Sequence, residues 1–264
     1  MSVFLMTFII ALVFSAIGFK KYVWFISIGY GLSVAAIGVF LPLYFGAEDG
    51  MLPVIASILL ILYGCRLSGY LTFREVKKAS YNKKMKSEIK DGKDMSLVGK
   101  CGIWISAALL YACETSPIAF RCENGSETYG WLIAGMIIMA CGLVTETTAD
   151  MQKSLAKREN PHRFVDTGLY RIVRCPNYMG EMMFWTGVFI TGIGSNIGAW
   201  QWIAAICGYL GIIYVMFGGA RRLEMRQDRE YKDDPDYWAY KNKTPIMIPF
   251  IPLYSVKEQK WLVA

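Results

Sequence analysis

The chain has 264 residues, of which 55% are hydrophobic and only 19% are charged, and its mean hydropathy is +0.34. A soluble domain of this length carries more charge and fewer apolar residues, so the composition argues against an ordinary soluble protein. The net charge of +7 is consistent with attraction to an anionic membrane surface or with a phosphate-bearing ligand. It does not require nucleic acid, and we predict no nucleic-acid partner.

The apolar residues come in runs of about the length that crosses a bilayer. We predict seven transmembrane helices, at about residues 2–19, 22–46, 51–71, 101–119, 129–148, 179–197 and 199–219. The predicted fold class is therefore all-α, a polytopic membrane protein whose single domain covers residues 1–264. No obligate protein partner is evident.

Basic residues are distributed unevenly among the predicted loops. They concentrate at residues 20–21, 74–100, 153–174 and 221–260, whereas Arg121 is the single basic residue of the alternate loops. Cytoplasmic loops of membrane proteins carry the excess of Lys and Arg. This pattern predicts an N-terminus outside, a C-terminus inside and a cytoplasmic working face, in either a bacterial inner membrane or the endoplasmic reticulum.

Cysteine and glycine positions carry two smaller predictions. The seven cysteines include no CxxC pair and the chain has one histidine, so we predict no metal site. Gly29 and Gly31 in the second span are small residues of the kind that let helices approach closely.

Polar residues interrupt the third span at its inner end. Tyr63, Arg66 and Tyr70 are spaced i, i+3 and i+7, which places them on one helical face. One interpretation is a snorkelling arginine with interfacial tyrosines. The other is a ligand-binding face, since an ionisable group inside a span requires a reason.

A second polar stripe leaves the fifth span. Glu146, Asp150, Lys153 and Lys157 are spaced i, i+4, i+7 and i+11. They form either ion pairs at the membrane boundary or a set of acceptors and cations around a polar ligand.

The third polar segment runs from His162 to Glu181. Asp166-Thr167-Gly168 predicts a turn, and Pro176 suits the first turn of a helix. Asn177 and Glu181 then open an otherwise apolar span as i, i+4 partners. The arginines before this helix are Arg163, Arg171 and Arg174. Packing does not explain this arrangement, which favours a ligand site.

From Gly168-Leu169-Tyr170 through Pro176-Asn177-Tyr178-Met179-Gly180-Glu181 the chain resembles the steroid 5-alpha-reductase family of membrane oxidoreductases. The resemblance covers about residues 60–254 and includes the tail from Thr244 to Phe250. It implies seven spans, a cytoplasmic NADPH site and a lipophilic substrate within the membrane. The implied reaction is reduction of the carbon–carbon double bond of a 4-ene-3-oxosteroid or similar enone.

The resemblance also implies roles for individual residues. Tyr63 falls where the family places its carbonyl-polarising tyrosine, acting as a hydrogen-bond acid. Arg66 and Tyr70 fall on cofactor-contacting positions of the same helix. Asn177 and Glu181 match positions that hold the nicotinamide.

The preceding linker completes the predicted cofactor-binding part, at about residues 146–254. Asp150, Lys157 and Arg163 match cofactor positions of the family. Arg171 and Arg174 are added from their charge and proximity. Guanidinium groups suit pyrophosphate and a 2′-phosphate, so the basic inner face favours NADP over NAD.

The chain departs from the family at two places. The family uses a second-span glutamate beside the catalytic tyrosine, but residues 22–46 contain no acidic residue. Cys175 stands where related sequences often carry histidine. The substrate, the face of hydride delivery and the proton donor therefore stay open.

Two other functional classes remain. An isoprenylcysteine carboxyl methyltransferase-like enzyme shares a similar Pro-x-Tyr-x-Gly-Glu block, but it would use S-adenosylmethionine. A non-enzymatic membrane binding protein or transporter is disfavoured, because the sequence shows no inverted repeat and its polar residues gather at one face.

Overall fold

A computed structural model of the chain describes residues 2–46, 50–77 and 95–262. Most of the lysine-rich linker predicted after the third span falls at residues 78–94, outside the described residues. All regular secondary structure within the described ranges is helical, which confirms the all-α prediction.

The described residues form eight α-helices and three short 3-10 helices. The α-helices are α1 (Val3–Ser15), α2 (Ile28–Phe45), α3 (Met51–Lys77), α4 (Leu97–Asn124), α5 (Tyr129–Glu159), α6 (Pro176–Thr191), α7 (Ala199–Glu230) and α8 (Pro235–Lys243). The 3-10 helices are Ala16–Phe19, Tyr22–Ile26 and Gly168–Arg171. Helix α6 begins at Pro176 as predicted, because proline has no N–H to leave unpaired in a first turn.

Within these ranges, five helical segments are long and apolar enough to cross a membrane. They are Tyr22–Phe45, Met51–Arg74, Leu97–Asn124, Tyr129–Glu159 and Ala199–Glu230. Helix α1 has 13 residues and α6 has 16. At about 1.5 Å per residue, both are shorter than a hydrocarbon core of about 30 Å. The chain is thus an integral membrane protein by its helices, while the count of seven spans and the orientation stay predictions.

The chain divides into two compact units. The first comprises residues 1–136 and 188–209, and the second comprises residues 137–187 and 210–264. The organisation of residues 1–264 as a single domain stays a prediction.

In the first unit, α2 and α3 pack with their backbones in contact. A Cβ atom added to Gly31 would lie 2.7 Å from the carbonyl oxygen of Gly64, and one added to Gly64 would overlap the carbonyl oxygen of Gly31. Glycine is therefore required on both helices at this crossing. The hydroxyl of Ser68 donates to the carbonyl oxygen of Ile28 at 3.0 Å, which holds the register of the pair. The close approach predicted at Gly31 is confirmed.

Arg121, the single basic residue of the alternate loops, is buried in the first unit. Its guanidinium donates to the carbonyl oxygens of Thr191 and Ile193 at 2.5 and 3.0 Å, and to the hydroxyl of Thr128 at 3.0 Å. The last carbonyls of a helix have no partner within that helix. Arg121 therefore satisfies carbonyls at the end of α6.

In the second unit, a glycine pair again brings two helices together. A Cβ atom on Gly142 of α5 would lie 2.6 Å from the carbonyl oxygen of Gly180 in α6, and one on Gly180 would lie 2.6 Å from the amide nitrogen of Glu146. This contact explains the glycine of the Pro-Asn-Tyr-Met-Gly-Glu block. It also places the start of α6 against the polar stripe of α5.

A buried ion-pair network joins α7, α8 and the tail of the second unit. The ammonium of Lys241 lies 2.9 Å from Glu224 and 2.7 Å from Asp228. Glu224 also accepts a hydrogen bond from the amide of Val256 at 2.9 Å, and the hydroxyl of Tyr237 donates to Asp228 at 2.8 Å. Buried charges persist in proteins when they are paired and hydrogen-bonded in this way.

Helix α8 is positioned by a cap as well as by these ion pairs. The side chain of Asp234 accepts hydrogen bonds from the amides of Asp236 and Tyr237, and Pro235 occupies the first helical position. Both features stabilise a helix start. The cap presents Tyr237 and Lys241, which lie one turn apart, to the acidic residues of α7.

Replacing Gly64 with alanine is expected to destabilise the first unit by about 1–3 kcal/mol, the usual cost of overpacking. The thermal denaturation midpoint in detergent measures this effect. The matched control is Gly69→Ala in the same helix, where nothing lies within 4 Å of an added Cβ atom. Equal loss of stability in the two variants would contradict the backbone contact.

Replacing Lys241 with methionine is expected to cost about 3 kcal/mol, because it removes the cation that two buried carboxylates share and leaves them only the longer ion pairs with Arg174 and Lys257. Lys243→Met, two residues further on in the same helix and exposed, should change stability little. Heating both purified variants and following tryptophan fluorescence gives the comparison. An unchanged midpoint for Lys241→Met would show that the network is dispensable.

Candidate functional site

Tyr63 forms a buried hydrogen-bonded pair with Tyr30 of α2. The ring of Tyr63 is fully buried and that of Tyr30 is 6% exposed. The Tyr63 hydroxyl donates to the Tyr30 hydroxyl at 3.1 Å, and the two rings meet edge to face. A buried phenol requires such a polar partner.

A third tyrosine supports this pair from α4. The ring of Tyr111 stacks on that of Tyr30, with centroids 4.8 Å apart and an interplanar angle of 27°. The Tyr111 hydroxyl donates to the carbonyl oxygen of Phe25 at 2.9 Å. We call Tyr30, Tyr63 and Tyr111 the tyrosine cluster. Tyr30 and Tyr111 were missed by the sequence analysis, because their spacing along the chain carries no periodic signal.

Arg66 and Tyr70 meet further along α3. The guanidinium carbon of Arg66 lies 5.8 Å from the centroid of the Tyr70 ring, and that of Arg74 lies 5.5 Å from the same centroid. Arginine over an aromatic face is a favourable cation–π contact. The structure therefore adds Arg74 to the predicted pair and concentrates positive charge at this end of α3.

In the second unit, α6 presents Asn177 and Glu181 one turn apart. Glu181 is 7% exposed, and Glu146 of α5 is 3% exposed. The side-chain oxygen of Asn177 is buried and has no hydrogen-bond partner among the described residues. A buried amide oxygen without a partner is costly, so this acceptor is available for a ligand donor.

Lys157 holds the loop that follows α5. Its ammonium donates to the carbonyl oxygens of Pro161 at 3.1 Å and Arg163 at 2.6 Å, and to the hydroxyl of Tyr231 at 2.9 Å. Burial raises the pKa of Tyr231 to about 12, so this hydroxyl stays neutral and can accept. Asp150 is half-buried on the same helix, two turns before Lys157.

The predicted turn then directs the chain toward α6. Gly168 has a φ of +60°, a conformation that favours glycine, and the amide of Leu169 donates to the side chain of Gln152 at 2.9 Å. The side chain of Tyr240 donates to the carbonyl oxygen of Tyr170 at 2.6 Å. These contacts tie the arginine-bearing segment to α5 and α8.

The three arginines of this segment occupy different surroundings. Arg163 is exposed and forms an ion pair with Asp166 at 2.9 Å, whose hydrogen bond and charge raise the pKa of Arg163. Arg171 is exposed at a cavity of about 330 Å³ that Lys243 and Tyr254 also line. Both guanidinium groups are accessible to an anion.

Arg174 is instead buried at 3% exposure. Its guanidinium lies 3.5 Å from Glu224 and donates to the carbonyl oxygen of Tyr254, and its amide donates to the carbonyl oxygen of Pro245 at 2.8 Å. Arg174 thus connects the start of α6 to the ion-pair network and the tail.

Cys175 is buried beside Arg174. Burial raises the pKa of its thiol to about 11, although the charge of Arg174 opposes this shift. The thiol is therefore protonated at neutral pH and does not act as a base there. Among the residues that the structure describes, no group of three His, Cys, Asp or Glu side chains could hold a metal ion.

The chain is similar over half its length to two plant proteins, each named Steroid 5-alpha-reductase DET2. The Gossypium hirsutum protein is 27% identical over 135 residues, which are 49% of this chain and 46% of that protein. The Arabidopsis thaliana protein is 26% identical over 131 residues, 49% of this chain and 45% of that protein. The chain thus spans about half the length of these curated relatives. No solved structure matches it.

A family model covers much more of the chain than these relatives do. The model described as "Protein of unknown function (DUF1295)" matches residues 9–244, from α1 to the end of α8. The match includes the tyrosine cluster and the Asn177–Glu181 turn. The chain therefore belongs to the DUF1295 family.

Proposed function

We propose that this protein is a membrane reductase that uses NADPH to reduce the carbon–carbon double bond of a lipophilic enone, such as a 4-ene-3-oxosteroid. Its distant similarity to proteins named steroid 5-alpha-reductase supports a reductase-like function. The proposal depends chiefly on the burial of Tyr63. Its phenol is fully buried, at the position that the resemblance assigns to carbonyl polarisation.

Tyr63 would donate a hydrogen bond to the carbonyl oxygen of the enone. Reduction at the β-carbon builds negative charge on that oxygen, and a donor in an apolar, water-free setting stabilises this charge strongly. Because the Tyr63 ring is fully buried, the side chains that cover it must move when the enone enters. A substrate that dissolves in the bilayer can approach from between apolar helices.

The residues of the second unit suit the nicotinamide end of NADPH, which supplies the hydride when bound. The buried oxygen of Asn177 can accept a hydrogen bond from the amide group of the nicotinamide. The Glu181 carboxylate, one turn further on, offers a second acceptor. Two acceptors on one rigid helix face would orient the carboxamide.

The phosphates of NADPH require cationic side chains, and the second unit has exposed arginines. Arg163 and Arg171 are exposed in the second unit, whereas Arg174 is committed to Glu224. In the first unit, Arg66 and Arg74 pack against Tyr70, and the cofactor roles of Arg66 and Tyr70 stay predictions. Guanidinium groups bind phosphate oxygens in pairs, which favours a dinucleotide that carries an additional 2′-phosphate.

Replacing Tyr63 with phenylalanine is expected to lower kcat for a 4-ene-3-oxosteroid by about 10²–10³-fold, the usual effect of removing one such donor. The loss of NADPH absorbance with detergent-purified protein measures turnover. NADPH binding should stay within about twofold of wild type, because the phenol is assigned to the substrate. Full activity of Tyr63→Phe would remove the proposed role.

Replacing Glu181 with glutamine is expected to weaken NADPH binding by about tenfold, the value of one charge-assisted hydrogen bond. Glu159→Gln, at the exposed end of α5, is the matched control and should bind NADPH normally. Fluorescence of the bound nicotinamide measures the NADPH affinity of both variants. Equal weakening in both would point to a general effect of lost negative charge.

Replacing Arg171 with methionine is expected to raise the KM for NADPH more than the KM for NADH, if its guanidinium binds the 2′-phosphate. Arg158→Met removes the charge of another exposed arginine and serves as control. If wild-type protein binds S-adenosylmethionine and no dinucleotide, the methyltransferase alternative replaces the reductase.

A further inference from the structure

The hydroxyl that faces Tyr63 comes from the second helix. Tyr30 lies 33 positions before Tyr63, and the two phenolic oxygens are 3.1 Å apart. Both rings are buried, so water does not compete strongly for this bond. We propose that Tyr30 is a positioning residue that strengthens Tyr63 as a hydrogen-bond donor, an inference that rests on the proposed reductase function.

The geometry of the pair is held by the backbone. Gly31 and Gly64, whose backbones touch, are the residues immediately after Tyr30 and Tyr63 in the sequence. The two tyrosines therefore leave their helices at the closest approach of α2 and α3. A bulkier residue at either glycine would separate the helices and lengthen the bond between the hydroxyls.

Tyr111 orients Tyr30 without competing for the same bond. Its ring stacks on the Tyr30 ring, while its own hydroxyl donates to the carbonyl oxygen of Phe25. The stack restricts rotation of the Tyr30 ring, so the Tyr30 hydroxyl is directed at Tyr63. Packing and hydrogen bonding thus assign different roles to two neighbouring tyrosines.

The proposed exchange involves hydrogen bonds and no covalent change. In the structure, the Tyr63 hydroxyl donates to Tyr30. When Tyr63 turns its proton to a substrate carbonyl, the Tyr30 hydroxyl rotates and donates to the oxygen of Tyr63. A phenol that accepts a hydrogen bond is a stronger donor, because chains of hydrogen bonds polarise one another. The charge that develops on the substrate oxygen is then shared by two O–H groups.

The proposed role of Tyr30 predicts a change in kcat without a change in substrate or cofactor binding. Tyr30→Phe keeps the ring and its stacking on Tyr111 but removes the hydroxyl. We expect kcat to fall by about five- to tenfold, the usual value of one hydrogen bond. The KM for the enone and the affinity for NADPH should stay within about twofold, since the lost interaction acts only as charge develops.

The experiment compares Tyr30→Phe, Tyr63→Phe, the double variant and the control Tyr44→Phe with wild type. If Tyr30 acts through Tyr63, adding Tyr30→Phe to Tyr63→Phe causes no further loss of kcat. Tyr44→Phe removes an exposed hydroxyl at the end of α2, outside the tyrosine cluster, and should leave kcat within twofold of wild type. Denaturation midpoints of all variants are measured in parallel.

Each result has a defined meaning. An unchanged kcat in Tyr30→Phe, or equal losses of kcat in Tyr30→Phe and Tyr44→Phe, would overturn the positioning role and make the pair a packing contact. A further drop in the double variant would also overturn it, because Tyr30 would then act independently of Tyr63. Wild-type protein without enone turnover would instead overturn the proposed function itself, and the role of Tyr30 with it.

Discussion

The contact between the backbones of α2 and α3 is the constraint on which the first unit depends. Lipid tails are as apolar as leucine, so helices in a membrane gain little from the hydrophobic effect when they associate. They gain instead from close packing and hydrogen bonds, and both are best where side chains are absent. Gly31 and Gly64 provide that approach, and the Tyr30–Tyr63 hydrogen bond forms directly beside it.

In the second unit, a glycine pair also brings two helices into backbone contact, and here the contact positions buried carboxylates. Gly142 and Gly180 bring α5 and α6 together, and the backbone of Glu146 lies against Gly180 at this crossing. Glu146 and Glu181 are thereby held in buried positions close to one helix crossing. Elsewhere in this unit, the buried carboxylate of Glu224 is paired with Arg174 and Lys241. Tight packing and charge pairing therefore determine which polar groups remain accessible to a ligand.

Burial distinguishes residues that look equivalent in the sequence. Arg171 and Arg174 are three residues apart in the same basic segment, yet the first lines a surface cavity and the second is enclosed. Lys157 likewise carries a charge that suits phosphate, but its ammonium holds the loop that contains Arg163. A charge pattern predicts that an anion could bind nearby. It does not predict which cations are already used by the fold.

The sequence by itself determined the membrane class, the all-helical fold and the start of α6 at Pro176, because these depend on composition, local periodicity and the chemistry of proline. It also placed Arg66 and Tyr70 on one face, since that spacing follows from helix geometry. Only the tertiary structure paired Tyr30 with Tyr63 and enclosed Arg174, because both depend on helix crossings between residues far apart in the chain. The end of this helix was decided there too: turns after Thr191 end α6 after 16 residues, whereas the predicted span continued to residue 197.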